Sequence, residues 1–283
     1  MVRPNSDLWR IRDVLKNTRL IRAGLSAIEQ AVNDVMVVAP ETVFHLGWDG
    51  VTWGSKNDLQ QVEENLIGSV RLLNIAQRAG CTCWVGVGSQ AEYGASVGVL
   101  REDLPTHPRT LYGVTKLCVS LLTRQICQQQ GTRYVWLRLL ATYGPKDAPE
   151  HLIPSVVLKL LEGERPTLTA GEQRWDYLYV EDAAEAIYTA AMQPHVQGIY
   201  NLGSGEVHTV RAIVTCIRDL IDHRLPLGLG EIPYPPDQIM HLQAEGADGD
   251  FRRLTHWAPT IEIMEGLLRT VEWYRTNRNR YVN

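Results

Sequence analysis

An α/β fold with a doubly wound parallel sheet is the prediction of this 283-residue sequence. Three observations make it. Between residues 43 and 140, short β-rich runs alternate with longer stretches of helical period, the β-α-β-α-β order of a parallel sheet. Glycines stand where those helices must stop. After Pro145 the texture changes to short elements punctuated by proline, which marks a second, smaller lobe.

The elements follow in order. Val43-Phe44-His45-Leu46 reads as a strand ending at Gly47. Asn65 to Ala79 reads as a helix, with Leu66, Val70, Leu73 and Ala76 at helical spacing and Gly80 to stop it. Cys83-Trp84-Val85-Gly86-Val87 is a second strand. Tyr112 to Gln130 is a long helix before Gly131, with Leu117, Leu121, Leu122 and Ile126 expected on its inner face. Tyr134 to Leu140 is a third strand. Beyond Pro145, a helix is predicted over Val180 to Met192 and a strand over Gly198 to Leu202. Leu225 to Asp250 is rich in proline and glycine, and Glu262 to Arg275 reads as a closing helix.

Bulk properties narrow the function. Apolar content of 45% and charged content of 21% suit a globular chain with a large core. A net charge of −4 gives no electrostatic reason to expect nucleic acid or an anionic membrane as partner. No apolar run approaches the ~20 residues of a membrane span, and the first residues carry no apolar signal core. A cytoplasmic location is therefore expected. The five cysteines are odd in number, and Cys81-x-Cys83 lacks zinc-site spacing, so free thiols and no metal are expected.

The chemistry centres on Tyr112-Gly113-Val114-Thr115-Lys116. Tyrosine and lysine four apart on a helix share one face, and a nearby ammonium favours the phenolate. With 11 tyrosines and five lysines in the chain, chance predicts roughly 0.2 such pairs. Taken alone, the pair fits a surface tyrosine stacked on a lysine stem equally well. Upstream, Ser89 follows the carboxyl end of a predicted strand, where open parallel sheets bind ligands. Its hydroxyl could bond a substrate oxygen and pass a proton to a tyrosine. Gly86-x-Gly88-x-x-Ala91 mimics a dinucleotide fingerprint, but the residues after it read as a turn rather than a helix, so that reading is rejected.

On these residues the chain resembles the extended short-chain dehydrogenase/reductases, specifically the NAD-dependent epimerase/dehydratase branch that acts on nucleotide sugars. Ser89 four before Tyr93-Gly94, Tyr112-x3-Lys116, Arg138 with Tyr143-Gly144-Pro145, the run Arg174 to Asp182, Tyr200 to Gly205 and Trp257-Ala258-Pro259 match its motifs in order. The resemblance implies a Rossmann-like domain from residues 1–145 plus about 175–203, and a substrate lobe from about 146–174 plus 204–283. It implies Ser89, Tyr112 and Lys116 as catalytic residues and NAD or NADP as coenzyme. Leu46, Gly47, Trp48, Val87, Leu139 and Arg3 would line the coenzyme with Tyr112 and Lys116. Gln90, Glu92, Tyr143 and Arg174 would meet a nucleotide-sugar substrate, Arg174 by pairing with its diphosphate. The helices at 65–79 and 112–130 would build a homodimer.

The chain also departs from the family pattern. Its members open with a strand, a Gly-rich turn and a helix that cradle the pyrophosphate. Met1-Val2-Arg3 instead resembles the end of the second strand, so weak coenzyme binding by the chain as written is expected. A start placed too late, a true truncation and a partial sequence would each account for it. Gln90 and Ala91 stand where dehydratases carry an Asp-Glu pair, which argues against dehydration. Arg3 suits a 2′-phosphate but is equally a surface charge. The expectation is hydride transfer on a nucleotide sugar, with 4-keto reduction placed ahead of epimerisation. A degenerate binding subunit and a reductase of small carbonyl compounds stay open as alternatives.

Overall fold

The computed structural model describes residues 1–51, 53–95, 98–236 and 238–281. The chain forms two compact units. The first comprises Met1–Gly94, Leu104–Arg138 and Thr189–Tyr200; the second comprises Ala95–Asp103, Leu139–Tyr188 and Asn201–Asn283. In chain order the elements are α1 (Val32–Val38), β1 (Thr42–His45), α2 (Ile67–Arg78), β2 (Cys83–Ser89), β3 (Val99–Leu100), α3 (Leu111–Gln130), β4 (Arg133–Leu139), β5 (Ala141–Tyr143), α4 (Leu152–Leu161), β6 (Thr167–Leu168), β7 (Arg174–Tyr179), α5 (Val180–Met192), β8 (Gly198–Leu202), β9 (Val207–Thr209), α6 (Val210–Ile221), β10 (Gly228–Leu229), β11 (His241–Ala244), α7 (Asp250–Thr255) and α8 (Ile263–Asn277).

The sheet of the first unit runs in the order β1-β2-β4-β8. β1 and β2 are parallel, in register from Thr42↔Cys83 to His45↔Gly86. A parallel pair needs a crossover, and α2 supplies it. Trp84, Val85, Val135, Trp136 and Leu137 are buried, as expected for strands covered on both faces. Leu73, Trp84, Val119, Cys127, Tyr134 and Trp136 form the core there. Gly86 and Gly88 are required in β2 because a Cβ at either would fall on the Trp136 indole. β1 is the terminal strand of this sheet. A groove of about 690 Å³ is lined by Thr42 to His45 of this strand and by Met1 to Arg3. There Val2 makes an isolated parallel bridge with Arg22.

Two expectations are corrected. The helix predicted from Asn65 starts earlier, with a π-helical turn over Gln61–Leu66 that runs into α2. The polar run before Asn65 hid it, because Gln61 and Asn65 turn inward and bond the preceding loop. On α3 the period was right and Ile126 packs against the core as expected, but Leu121 and Leu122 do not. The buried positions are Gly113, Thr115, Lys116, Val119, Ser120, Thr123 and Cys127, whereas Leu121 and Leu122 are each 45% exposed. The polar residues are accommodated by bonds within the unit: Ser120 Oγ meets the Tyr134 hydroxyl at 2.8 Å, and Thr123 Oγ1 donates to Val119 O at 2.6 Å. Gly131 ends α3 in the left-handed region, at φ 68, as its position predicted.

The second unit has a sheet in the order β3-β11-β7-β5, with β9 antiparallel on β7. Its core includes Tyr143, Val157, Ile213, Val214, Ile217 and Tyr274. Asp176, fully buried, ties this unit together: its carboxylate accepts from Ser204 N (2.6 Å), Gly205 N (2.8 Å) and Ala244 N (3.1 Å). The Pro- and Gly-rich stretch after Leu225 contributes the short strands β10 and β11.

Candidate active site

Ser89 is the last residue of β2 and the N-cap of a single 3-10 turn, Gln90–Glu92. Its Oγ accepts from Ala91 N at 3.2 Å, and Glu92 Oε1 accepts from Ser89 N at 3.0 Å, a reciprocal capping box. The chain after Gly86-x-Gly88 therefore turns rather than opening a helix of useful length. Glu92 is buried, and both its oxygens are committed: Trp136 Nε1 donates to one at 3.0 Å and Arg138 Nε to the other at 2.9 Å. Arg138 also donates to the Tyr93 hydroxyl at 2.8 Å. The structure thus moves Glu92 from the expected substrate contact to a buried strut behind Ser89, since strand β4 brings Trp136 and Arg138 against it.

Tyr112 lies in the first turn of α3, whose leading amides are satisfied from outside the helix. Leu111 N donates to Asn57 Oδ1 at 3.1 Å, Tyr112 N to Lys56 O at 2.8 Å and Gly113 N to Thr110 Oγ1 at 3.1 Å. Gly113 lets this turn close on the Ser89 turn, because a Cβ there would stand 2.5 Å from Ala91 O. As a result the Ser89 side chain lies beside the Tyr112 phenol. Burial raises the Tyr112 pKa, opposed by the neighbouring Ser89 hydroxyl.

Lys116, one turn along α3, is 4% exposed. Its Nζ donates to Val87 O at 2.8 Å and lies 3.7 Å from the centre of the Trp48 ring. Burial pulls the ammonium down to about 7, against the opposing charge of Glu92. Nearby, His45 bonds Ser69 Oγ at 2.7 Å and is pushed down to about 3 by burial and by Lys116. The geometry sets two hydroxyl side chains near an amine poised near neutral pH, the groups that general acid–base chemistry needs.

The other predicted residues fall as follows. Gly47, Trp48 and Arg3 share the groove beside β1, where Arg3 pairs with Asp49 at 3.0 Å. Leu46 is exposed, and Val87 carries the carbonyl that holds Lys116. Gln90 is half-buried beside Ser89. Leu139, Tyr143 and Arg174 belong to the second unit. There Tyr143 is buried in the core, packed edge-on against Tyr177 and Tyr179, rather than offered to a ligand. Its hydroxyl reaches Ile263 O at 3.4 Å. Arg174 is exposed at the start of β7. Its two acidic neighbours are occupied elsewhere, Asp176 as above and Glu172 on the Tyr234 hydroxyl. Sequence reasoning missed the roles of Gln61, Asn65 and Trp136; inward polar residues spaced four apart at 61 and 65 were the signal available.

Comparison with known proteins bears on the whole chain. Residues 3–203 match the model of the NAD dependent epimerase/dehydratase family. The dTDP-glucose 4,6-dehydratase of Shigella flexneri is 31% identical over 195 residues, 67% of this chain and 54% of that protein. The chain thus spans about half the length of the curated relative it matches. The UDP-glucose 4-epimerase of Thermotoga maritima, solved with UDP-glucose, shares the fold at a TM-score of 0.87 and 23% identity, over 98% of this chain and 90% of that one. The UDP-glucose 4-epimerase of Thermus thermophilus, solved with NAD, does so at 0.84 and 24%, over 94% and 87%. With the ordered motifs and the Ser89–Tyr112–Lys116 geometry, these findings establish that the chain belongs to the NAD dependent epimerase/dehydratase family.

Proposed function

We propose that this protein transfers hydride at an oxygen-bearing carbon of a nucleotide-linked sugar, with NAD or NADP as coenzyme and 4-keto reduction as the favoured direction. The observation that carries the reading is the placing of Ser89, at the end of β2, against the first turn of α3, which carries Tyr112, with Lys116 one turn along. The relatives' substrates and coenzymes, UDP-glucose and NAD among them, support the class of ligand.

The residues present fit the nicotinamide–ribose end of such a coenzyme. An ammonium has three donors; Lys116 gives one to Val87 O, which leaves donor capacity for a ribose diol. Tyr112 and Lys116 would hold that ribose, with Leu46, Gly47 and Val87 around it. The bound coenzyme supplies or accepts the hydride. Ser89 would donate to the sugar oxygen, and Tyr112 would move the proton to or from it. Gln90 and Ala91 supply no acid beside Ser89 and Glu92 is committed, so elimination of water has no obvious catalyst. Arg3 and Arg19 of the groove carry their own carboxylates, Asp49 and Asp34, so a diphosphate would have to displace these. That supports weak coenzyme binding. Residues 1–145 with about 175–203 would hold the coenzyme, and about 146–174 with 204–283 the sugar nucleotide, Arg174 being available to its diphosphate.

A homodimer is proposed as well. Ile67 of α2 and Val114, Leu121 and Leu122 of α3 are large, apolar and 38–45% exposed, which suits a helical interface. Five free thiols support a reducing, cytoplasmic setting, and no described helix is long and apolar enough to cross a membrane. The test is product analysis with a 4-keto sugar nucleotide. Net NAD(P)H consumption marks a reductase, and interconversion without consumption an epimerase. No turnover, together with no NAD(P)H binding in a titration, would refute the enzymatic reading in favour of a binding subunit.

A further inference from the structure

Lys116 has a neighbour that the hydroxyl pair does not need. The Trp48 ring sits squarely on its ammonium, 3.7 Å from centroid to Nζ, well inside the ~6 Å reach of a cation–π contact. The Val87 carbonyl takes one of its protons. Between the carbonyl and the ring, the ammonium is almost wholly screened from solvent.

Trp48 is itself held in place. Its indole N–H donates to Gln61 Oε1 at 2.9 Å. Gln61, 1% exposed, also donates from Nε2 to Gly50 O at 2.6 Å and Ser55 O at 3.1 Å. Asn65, wholly buried, accepts from Asp49 N at 2.7 Å and donates to Asp49 O at 3.0 Å. Two inward amides on the π-helical turn thus staple the loop that carries the ring. The Tyr112 ring meets Trp48 edge-on at 6.0 Å, so the same loop touches both ionisable members of the site.

We propose that Trp48 is a positioning residue of this site: its indole caps the Lys116 ammonium, fixes it on Val87 O and closes it to any ligand that does not displace the ring. The ammonium therefore waits in a latent state, and a polyol that engages it must displace the ring. The inference goes beyond the catalytic reading. It concerns the chain without coenzyme or sugar, so an inactive enzyme leaves its test intact.

The test is competitive labelling of lysines by formaldehyde and borohydride on the full chain, read by peptide mass spectrometry. Lys16 and Lys159, both exposed, serve as internal references. In the wild type Lys116 should label far more slowly than these. Trp48→Ala should speed Lys116 labelling by about 10–30-fold, the range expected for losing a desolvated cation–π cap. Trp48→Phe, which restores a ring face, should bring the rate back to within about threefold of wild type. Should Trp48→Ala lose its fold by circular dichroism, Trp48→Leu makes the same comparison with apolar bulk retained. A Lys116 rate unchanged by the folded aliphatic variant, or equally fast in Trp48→Phe, would overturn the proposal.

Discussion

Replacing Lys116 with methionine gives a stability change whose pH dependence is set by the structure. The ammonium falls from its ordinary 10.5 to about 7 on burial, so the folded state holds this proton less tightly than the unfolded chain. Between pH 7 and 10.5 the unfolded state is protonated here and the folded state is not. Stability from this group therefore rises with pH across that window, by up to about 1.4 kcal/mol per pH unit. Below pH 7 both states are charged and the penalty is constant. Lys116→Met removes the penalty altogether. It also loses the Trp48 contact and the bond to Val87 O, but these set an offset, not a slope. The variant should be the more stable protein near pH 7, by about 3–5 kcal/mol less that offset. The gap should close steadily toward about pH 10. Urea unfolding at pH steps from about 6 to 10, for both proteins, measures it; titrations of other groups cancel in the difference. A difference that stays flat from about pH 7 to 10 would refute the reasoning, since it would mean that Lys116 keeps an ordinary pKa in the fold.

Three further perturbations follow from the same unit. His45, pushed from 6.5 to about 3, should cost the fold stability as pH drops below 6.5, by up to about 1.4 kcal/mol per unit; acid titration by circular dichroism should show His45→Gln unfolding at lower pH than wild type. Gly88→Ala would drive a methyl into the Trp136 indole and the Glu92 carboxylate; a loss of about 3 kcal/mol is expected, read as a lower urea midpoint. Glu92→Gln leaves Arg138 buried without its charge, which should cost about 3–5 kcal/mol. Adding Arg138→Met should recover part of that loss in the same unfolding assay.

Much of the frame was legible because local rules agreed with the fold. Strand and helix alternated at the right lengths, Gly131 stood at a left-handed cap, and Ser89 fell at a strand end. What escaped depended on partners distant in sequence. Glu92 reads as a substrate contact because it lies beside Ser89. Only when β4 delivers Trp136 and Arg138, 44 and 46 positions on, does it become a buried strut. The leucines of α3 read as core because apolar residues usually are. Here Lys116, Ser120 and Thr123 take the inner face, since each finds a bond there. Tyr143 looked like a ligand contact by its motif, whereas the aromatic cluster with Tyr177 and Tyr179 absorbs it. Trp48 read as a coenzyme contact by resemblance, but nothing in the sequence placed its ring over Lys116.

The first unit buries charge in two ways, and the contrast separates scaffold from site. Glu92 and Arg138 neutralise each other at 2.9 Å, with further donors and acceptors satisfying the remainder. Such a pair is expensive to break but has nothing to exchange with a substrate. Among the described residues, Lys116 has no carboxylate within ion-pair distance; a carbonyl and a ring face hold it instead. A buried charge left unneutralised lowers stability, and such strained ionisable groups concentrate at functional sites. The two substitutions should therefore move stability in opposite directions at neutral pH: Glu92→Gln down, Lys116→Met up. A scaffold of ion pairs would lose stability from either change. Opposite signs, measured in one urea series, would identify Lys116 as the group whose charge the fold tolerates without a partner, which is the property a proton-handling or ligand-binding lysine needs.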